Sequence, residues 1–122
     1  MKDLEAKTLA YKIADLALDK KAKQIAVMDL NGKTGIADFF VLMSGDSETQ
    51  IKAIADHIIR ALKGNEIKVY HKEGYNSLRW VLLDYVDVVV HIFKPETREF
   101  YGLERLWGDA NIDFVMDVEN AG

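Results

Sequence analysis

The sequence of 122 residues contains no cysteine and a single proline, Pro95. The absence of cysteine excludes disulfide bonds, thiol catalysis and cysteine-ligated zinc. The two longest apolar runs, 36–43 and 80–93, are interrupted by aspartates, and neither reaches the ~20 residues that a membrane-spanning helix requires. The N-terminus has no apolar signal core, so we expect a cytoplasmic protein without a targeting segment.

The composition is that of a globular chain. Hydrophobic residues make up 49% of it and charged residues 30%, which is enough apolar material for a core that needs neither disulfides nor a structural metal. The 16 basic residues are outnumbered by 20 acidic ones, which gives a net charge of −4. Because proteins that wrap nucleic acid are usually basic, direct sequence-specific binding of nucleic acid is disfavoured.

No repeat, low-complexity run or proline-rich linker divides the chain. We therefore expect a single domain over residues 1–108. The remaining residues, 109–122, include several acids and no base. This composition predicts an acidic, flexible C-terminal tail.

Hydrophobic periodicity predicts the element order αββαβββα. Ser47 and Gln50 have the spacing of a capping box, and Gly64 suits a C-terminal helix cap. This order indicates a mixed sheet with helices packed on it, the α+β class. Helices are predicted over 3–20, 47–64 and 95–107, and strands over 25–30, 37–44, 67–71, 78–83 and 87–93.

Three aspartates at strand ends raise the alternative of a magnesium-dependent nucleotidyltransferase or nucleotide-binding enzyme. Asp84 and Asp87 lie at the inner ends of two apolar strands, and Asp46 follows a third strand in a loop before a helix. This chemistry needs carboxylates at alternate positions on one strand face, next to a helix N-terminus that holds phosphate. Because Asp84 and Asp87 are three positions apart, turn residues are the favoured interpretation.

Other motifs for catalysis or metal binding are weak. The three histidines, His57, His71 and His91, have no i, i+4 metal spacing. The apolar neighbours of His91 favour a hydrogen-bonded sheet histidine over a metal ligand. The run Gly-Lys-Thr-Gly at 32–35 lacks the upstream glycine and the following helix of a P-loop, so we interpret it as a hairpin turn. We therefore expect no catalytic residue, no metal and no cofactor.

The last third of the domain is rich in aromatic side chains beside charged ones. Trp80 follows an arginine, and Tyr101 and Trp107 stand among arginines and glutamates in the last predicted helix. Five large apolar residues within Glu96–Trp107 are difficult for one short helix to bury, and exposed aromatics beside arginine are typical anchors of protein–protein interfaces. Complete burial beneath the sheet edge fits the pattern equally well.

Two long runs carry the most specific signal in the chain. They read Trp-Val-Leu-Leu-Asp-Tyr-Val-Asp-Val-Val-Val-His-Ile-Phe at 80–93 and Arg-Glu-Phe-Tyr-Gly-Leu-Glu-Arg-Leu-Trp at 98–107. With the strand, loop and helix start at 37–50 and Glu73-Gly74, they resemble the Iojap-related ribosomal silencing factors (RsfS) over about residues 3–108. That family usually has glycine where this chain has Val86, and valine is unfavourable there if the turn needs a positive φ.

The resemblance implies a nucleotidyltransferase-like fold without transferase activity. It further implies binding to the large ribosomal subunit through a ribosomal protein on the intersubunit face, which blocks joining of the small subunit and represses translation when nutrients are scarce. A homodimer of the free protein is also implied, and assistance in large-subunit assembly is an alternative role for the same surface. The implied contact residues are Trp80, Asp84, Asp87, Tyr101, Leu103, Glu104 and Trp107, with Glu73 and Arg98 as neighbours.

This set of residues has the chemistry that such a contact requires. Ribosomal proteins are commonly basic, so its four carboxylates offer complementary charge. Its three large aromatic side chains could supply the buried anchors that dominate interface energies. Obstruction of subunit joining needs bulk and affinity and no catalysis, so we expect that the protein is not an enzyme.

Overall fold

The structure is a computed structural model that describes residues 5–30, 35, 37–106, 108 and 110–115. Within these ranges the chain forms helices and a mixed sheet of six strands. In chain order the elements are α1 (Ala6–Asp19), β1 (Lys23–Asp29), β2 (Phe39–Ser44), α2 (Glu48–Gly64), β3 (His71–Glu73), β4 (Trp80–Asp84), β5 (Val88–Phe93), α3 (Pro95–Tyr101), α4 (Leu103–Leu106) and β6 (Asn111–Val115). The predicted α+β class is confirmed.

The strands lie in the order β3-β4-β5-β2-β1-β6. β2 and β5 run parallel at the centre of the sheet, and the other neighbours run antiparallel. The central strands are buried along their whole length, as their continuous apolar sequences predict. Over the described residues, no helix has the length and apolar character needed to cross a membrane.

Helices α1 and α2 cover one face of the sheet. Each of them buries apolar side chains at spacings of three and four residues, which form one stripe along the helix. These stripes pack on alternate residues of the strands, such as Val41, Val81 and Val90, in the larger of two apolar clusters. This face of the sheet is a closed core, so a strand side chain that is exposed must lie on the opposite face or at a sheet edge.

The start of α2 confirms the predicted N-cap. Ser47 Oγ accepts a hydrogen bond from Gln50 N at 3.0 Å. In a capping box the Gln50 side chain would accept from the backbone N–H of Ser47. Here Gln50 Oε1 accepts instead from Asp46 N, one residue earlier, at 2.7 Å. Its Nε2 donates to the carbonyl oxygens of Lys20 and Lys21, at 3.1 and 3.0 Å. One side chain therefore joins the start of α2 to the end of α1.

Strand β3 lies further along the chain than the alternation at 67–71 predicts. Residues 67–70 are irregular, although Ile67 and Val69 pack against the larger core cluster. Half-burial therefore produces the alternating pattern before the strand begins, and Tyr70 N makes the first bond toward β4, to the Asp84 carbonyl at 2.8 Å. The predicted cap at Gly64 is also wrong in detail: Gly64 is the last residue of α2, and the left-handed residue after the helix is Glu66, with φ 66°.

The C-terminal segment departs from the prediction of a flexible tail. Asn111–Val115 forms β6, an edge strand that pairs antiparallel with β1. Tyr11 on α1 donates a hydrogen bond from its hydroxyl to Asp113 Oδ2 at 2.6 Å, which adds a side-chain tie to this strand. The tail prediction is therefore wrong for residues 111–115, and residues 116–122 lie outside the described residues.

The turn between β4 and β5 places a valine in a left-handed conformation. Val86 has φ 75° and is 56% exposed. The Tyr85 carbonyl accepts from Asp87 N at 2.9 Å across it, as in a γ-turn, and Asp84 Oδ1 accepts from Val86 N at 2.7 Å. A positive φ is unfavourable for a β-branched residue. The structure therefore shows the positive φ that makes valine unfavourable at this position.

Val86→Gly is expected to stabilise the protein by about 1 kcal/mol, because the relief of a strained left-handed valine exceeds the extra backbone entropy of an unfolded glycine. Chemical denaturation measures the change in unfolding free energy. Val86→Ala is the matched control, since it removes the exposed methyl groups and keeps a Cβ at positive φ. A Val86→Gly protein less stable than Val86→Ala would contradict the prediction.

A buried tyrosine hydroxyl offers a second way to raise stability. Among the described residues, the Tyr85 hydroxyl is buried without a hydrogen-bond partner, and burial raises the pKa of this phenol to about 12. Tyr85→Phe should therefore increase the unfolding free energy by about 1 kcal/mol, because it removes an unpaired polar group. Tyr75→Phe is the control, since the Tyr75 hydroxyl donates to Asp56 Oδ1 at 3.0 Å. In both thermal and chemical unfolding, Tyr85→Phe should be more stable than the wild type and Tyr75→Phe should be less stable.

Candidate functional site

An aromatic cluster lies at one end of the second sheet face, where β4 and β5 meet α3. Trp80 stands opposite Phe93 in the β4–β5 register, with ring centroids 4.9 Å apart. Tyr101 from α3 packs on Trp80 at 4.8 Å, and Phe100 meets Tyr101 edge-to-face at 5.0 Å. Trp80 is partly buried, whereas Tyr101 is 51% and Phe100 78% exposed. Of the two alternatives that the sequence left open, the one with outward-facing aromatics is confirmed.

The pleat of β4 explains why Trp80 reaches this face. Val81 and Leu83 are fully buried in the core under α1 and α2, so Trp80, Leu82 and Asp84 point to the opposite side. Directly paired residues of neighbouring strands share a face. Glu73 on β3 pairs with Leu82. We call Glu73, Trp80, Asp84, Phe100 and Tyr101 the aromatic–acidic surface.

The acidic members of this surface are held locally. Glu73 is exposed on the edge strand β3, and its Oε2 lies 2.7 Å from His71 Nε2. Asp84 closes the turn that contains Val86, as the sequence predicted from its spacing to Asp87. Asp87 is exposed, and its carbonyl oxygen accepts from Asp38 N and Phe39 N at 2.9 and 3.1 Å. The structure thus brings Glu73 and Asp84 to the Trp80 face and places Asp87 just beyond the turn.

The three-aspartate metal site is not assembled. β2 and β5 are parallel and in register from Phe39↔Val88 to Ser44↔Phe93. Asp87 precedes the start of this pair and Asp46 follows its end, so a strand length of about 20 Å separates them, far beyond the ~2 Å ligand distances of magnesium. Asp46 instead pairs with Lys23 Nζ at 2.7 Å. Over the described ranges, no group of three or more acidic or histidine side chains is placed to hold a metal ion.

Arg98 on α3 and Glu104 on α4 form an ion pair behind the aromatic–acidic surface. Arg98 is only 7% exposed, and its Nε and Nη2 contact Glu104 Oε2 at 2.9 and 2.8 Å. Leu103 packs in the apolar cluster of the second sheet face. Arg98 therefore does not reach the exterior as the predicted contact neighbour, and its partner Glu104 presents a carboxylate that is already paired. The predicted hairpin turn at 32–34 and the predicted anchor Trp107 lie outside the described residues.

A glycine break in the last helix accounts for residues that the sequence analysis missed. Gly102 has φ 55° and divides the predicted helix into α3 and α4. The left-handed conformation is what favours glycine here, since an added Cβ would meet only the movable end of the Arg105 side chain. The break leaves Phe100 and Leu106 exposed, at 78% and 67%. Glycine within a helical pattern was the available signal for it.

His91 is the hydrogen-bonded sheet histidine that its sequence context predicts. It lies on β5 within the second sheet face and is 4% exposed. Burial lowers the pKa of its imidazole to about 3, so the ring is neutral at physiological pH. Its Nδ1 accepts a hydrogen bond from Trp80 Nε1 at 3.0 Å. The link to Trp80 has no sequence signature, because it depends on the register of two strands.

Together these features define a mixed α+β domain whose aromatic–acidic surface runs along one sheet face, with the aromatic rings at the start of β4 and Asp84 at its end. A family model described as "Ribosomal silencing factor during starvation" matches residues 3–121. The chain belongs to this ribosomal silencing factor (RsfS) family.

Individual relatives agree with this assignment. The chain is 44% identical over 110 residues to the ribosomal silencing factor RsfS of Bacillus subtilis, which covers 87% of this chain and 93% of the relative. A crystal structure of a protein from Chromobacterium violaceum superposes with a TM-score of 0.83 at 31% identity, covering 96% of this chain and 98% of that one. A mouse protein named "Mitochondrial assembly of ribosomal large subunit protein 1" is 31% identical over 98 residues, 78% of this chain and 43% of the mouse protein.

Proposed function

We propose that the protein binds the large ribosomal subunit through a ribosomal protein on its intersubunit face, and that it represses translation under nutrient limitation by obstructing the small subunit. Family membership supports the ribosomal role. The observation that carries the binding mode is the partly exposed Trp80, packed on Phe93 and Tyr101 on the sheet face that Glu73 and Asp84 share.

This surface has the properties of an interface anchor. Trp80 and Tyr101 are already packed against each other, so little side-chain entropy is lost when a partner covers them. Tryptophan and tyrosine are the residue types most enriched among interface hot spots. The carboxylates of Glu73 and Asp84 complement a basic protein and steer its approach. Occupation of the intersubunit face then excludes the small subunit by volume alone, without a chemical step.

Sedimentation of purified ribosomal subunits tests the proposal. Large and small subunits are mixed under conditions that favour joining, with increasing amounts of the protein, and are separated on a density gradient. The protein is expected to migrate with the large subunit while the joined-ribosome peak falls. Migration with the small subunit alone, or an unchanged joined peak at saturating protein, would refute it.

A role in large-subunit assembly is the second candidate, favoured by the name of the mouse relative. The same surface would then act earlier, on an unfinished large subunit. Depletion of the protein in cells separates the two roles. An assembly factor leaves incomplete large subunits when it is depleted, whereas a repressor leaves mature subunits that join too readily during starvation.

The enzymatic alternative and the predicted homodimer have direct tests of their own. Calorimetry with a magnesium nucleotide would support the enzyme if binding heat appears and is lost in Asp84→Asn. Size-exclusion chromatography with light scattering determines whether the free protein is a dimer. We expect no nucleotide heat, and a mass of twice the monomer at micromolar concentration.

A further inference from the structure

We infer that His91 is a positioning residue for partner binding: it holds the Trp80 indole N–H from inside the sheet, so that a partner meets only the carbon surface of the Trp80 ring. This inference rests on the proposed function, since it concerns how the aromatic–acidic surface engages a ribosomal protein. It also specifies the partner chemistry. Aliphatic or cationic side chains, which pack on an indole ring, fit such a surface better than a hydrogen-bond acceptor aimed at Nε1.

The hydrogen bond assigns the histidine tautomer. An indole nitrogen can only donate, so His91 Nδ1, 3.0 Å from Trp80 Nε1, must be the unprotonated acceptor and the ring proton lies on Nε2. Among the described residues, Nε2 is buried without a hydrogen-bond partner. An unpaired buried donor is unfavourable. The imidazole nevertheless adopts the orientation in which Nδ1 accepts from Trp80 and Nε2 stays unpaired. The contact with Trp80 therefore determines the orientation of the His91 ring.

Neighbouring rings keep the imidazole in this orientation. The Phe40 ring meets it at a centroid distance of 4.6 Å and an interplanar angle of 65°, and Phe93 lies parallel at 5.9 Å and 10°. In the β4–β5 register His91 is opposite Leu82 and Phe93 is opposite Trp80, so the Trp80 indole reaches diagonally across the strand pair to His91. The acceptor is therefore part of the rigid sheet, and the indole that it holds has a fixed direction.

Two substitutions separate the acceptor from the shape of the histidine. His91→Leu keeps the volume approximately and removes the acceptor, whereas His91→Asn offers an amide oxygen in place of Nδ1. Affinity for purified large ribosomal subunits should fall about fivefold in His91→Leu, the size of one hydrogen bond, and should recover in His91→Asn. The nuclear magnetic resonance signal of the Trp80 indole N–H, assigned with Trp80→Phe, should shift in His91→Leu and exchange faster with solvent.

The decisive measurement repeats His91→Leu in a Trp80→Phe background. Phenylalanine has no N–H for His91 to hold, so His91→Leu should then change affinity less than about twofold. An equal loss in both backgrounds, or an indole signal that is unchanged in His91→Leu, would overturn the inference. If the wild type does not bind large subunits, the proposed function fails, while the indole signal still tests whether His91 holds Trp80.

Discussion

Trp80→Ala is expected to weaken binding to the large ribosomal subunit by at least about 2 kcal/mol, or roughly thirtyfold in affinity. The substitution removes the central ring of the cluster, which contacts Phe93 on one side and Tyr101 on the other. Tyr101 would lose its packing contact with the indole, so the partner would face a cavity instead of two packed rings. Equilibrium binding to purified large subunits, monitored with a labelled protein, measures the change.

Phe114→Ala provides the matched control for an exposed aromatic side chain. Phe114 is 59% exposed on the edge strand β6, whereas Trp80 lies on β4, four strands away in the sheet. That separation is about 19 Å. Affinity should change less than about twofold for this variant, as for substitutions outside a hot spot. Far-ultraviolet circular dichroism confirms that each variant is folded at the assay temperature.

An unchanged affinity in folded Trp80→Ala would remove Trp80 from the interface, and the aromatic–acidic surface with it. Equal losses in Trp80→Ala and Phe114→Ala would instead indicate a contact that spreads over the whole sheet face. The first outcome leaves family membership untouched, because that rests on the match over residues 3–121. The two results therefore distinguish an incorrect site from an interface of greater extent.

Local signals predicted the elements whose structure is decided locally. The Ser47 cap and the apolar stripe of α2 depend on neighbours within one or two helical turns, and both appear in the structure. The continuous apolar sequence of β2 likewise indicated a strand buried on both faces. The turn at Val86 could be inferred from the resemblance, since the family's glycine at that position signals a positive φ.

Long-range pairing decided the elements that the sequence analysis missed. Strand β6 alternates apolar and polar residues in an acidic segment, and it is a strand because β1 offers a free edge to it. No residue near Asn111 in the sequence indicates that β1 has an unpaired edge. The same holds for Arg98, which looks like an exposed helix residue beside glutamates until the fold brings the ends of β1 and β2 to it.

Arg98→Leu is expected to lower the unfolding free energy by about 3 kcal/mol, because it leaves a partly buried carboxylate and a buried hydroxyl without their donor. Arg98 Nη1 donates to the Gln24 carbonyl at 2.7 Å and to Ser44 Oγ at 3.0 Å, while Nε and Nη2 hold Glu104. Gln24 has φ 50° at a register shift in β1, and this bulge directs its carbonyl to the guanidinium. The midpoint temperature of thermal unfolding should fall by about 10 °C.

Arg105→Leu separates this buried role from the general loss of an arginine near the α3–α4 junction. Arg105 is exposed and donates one bond, from Nη2 to the Glu99 carbonyl at 3.0 Å, so its replacement should cost less than about 1 kcal/mol. Equal losses for the two variants would show that the buried network is not what stabilises this junction.

Arg98→Leu should also weaken binding to the large subunit, although Arg98 is buried, because Glu104 and Arg98 join α3 and α4 to the strand ends and so fix the position of Tyr101 over Trp80.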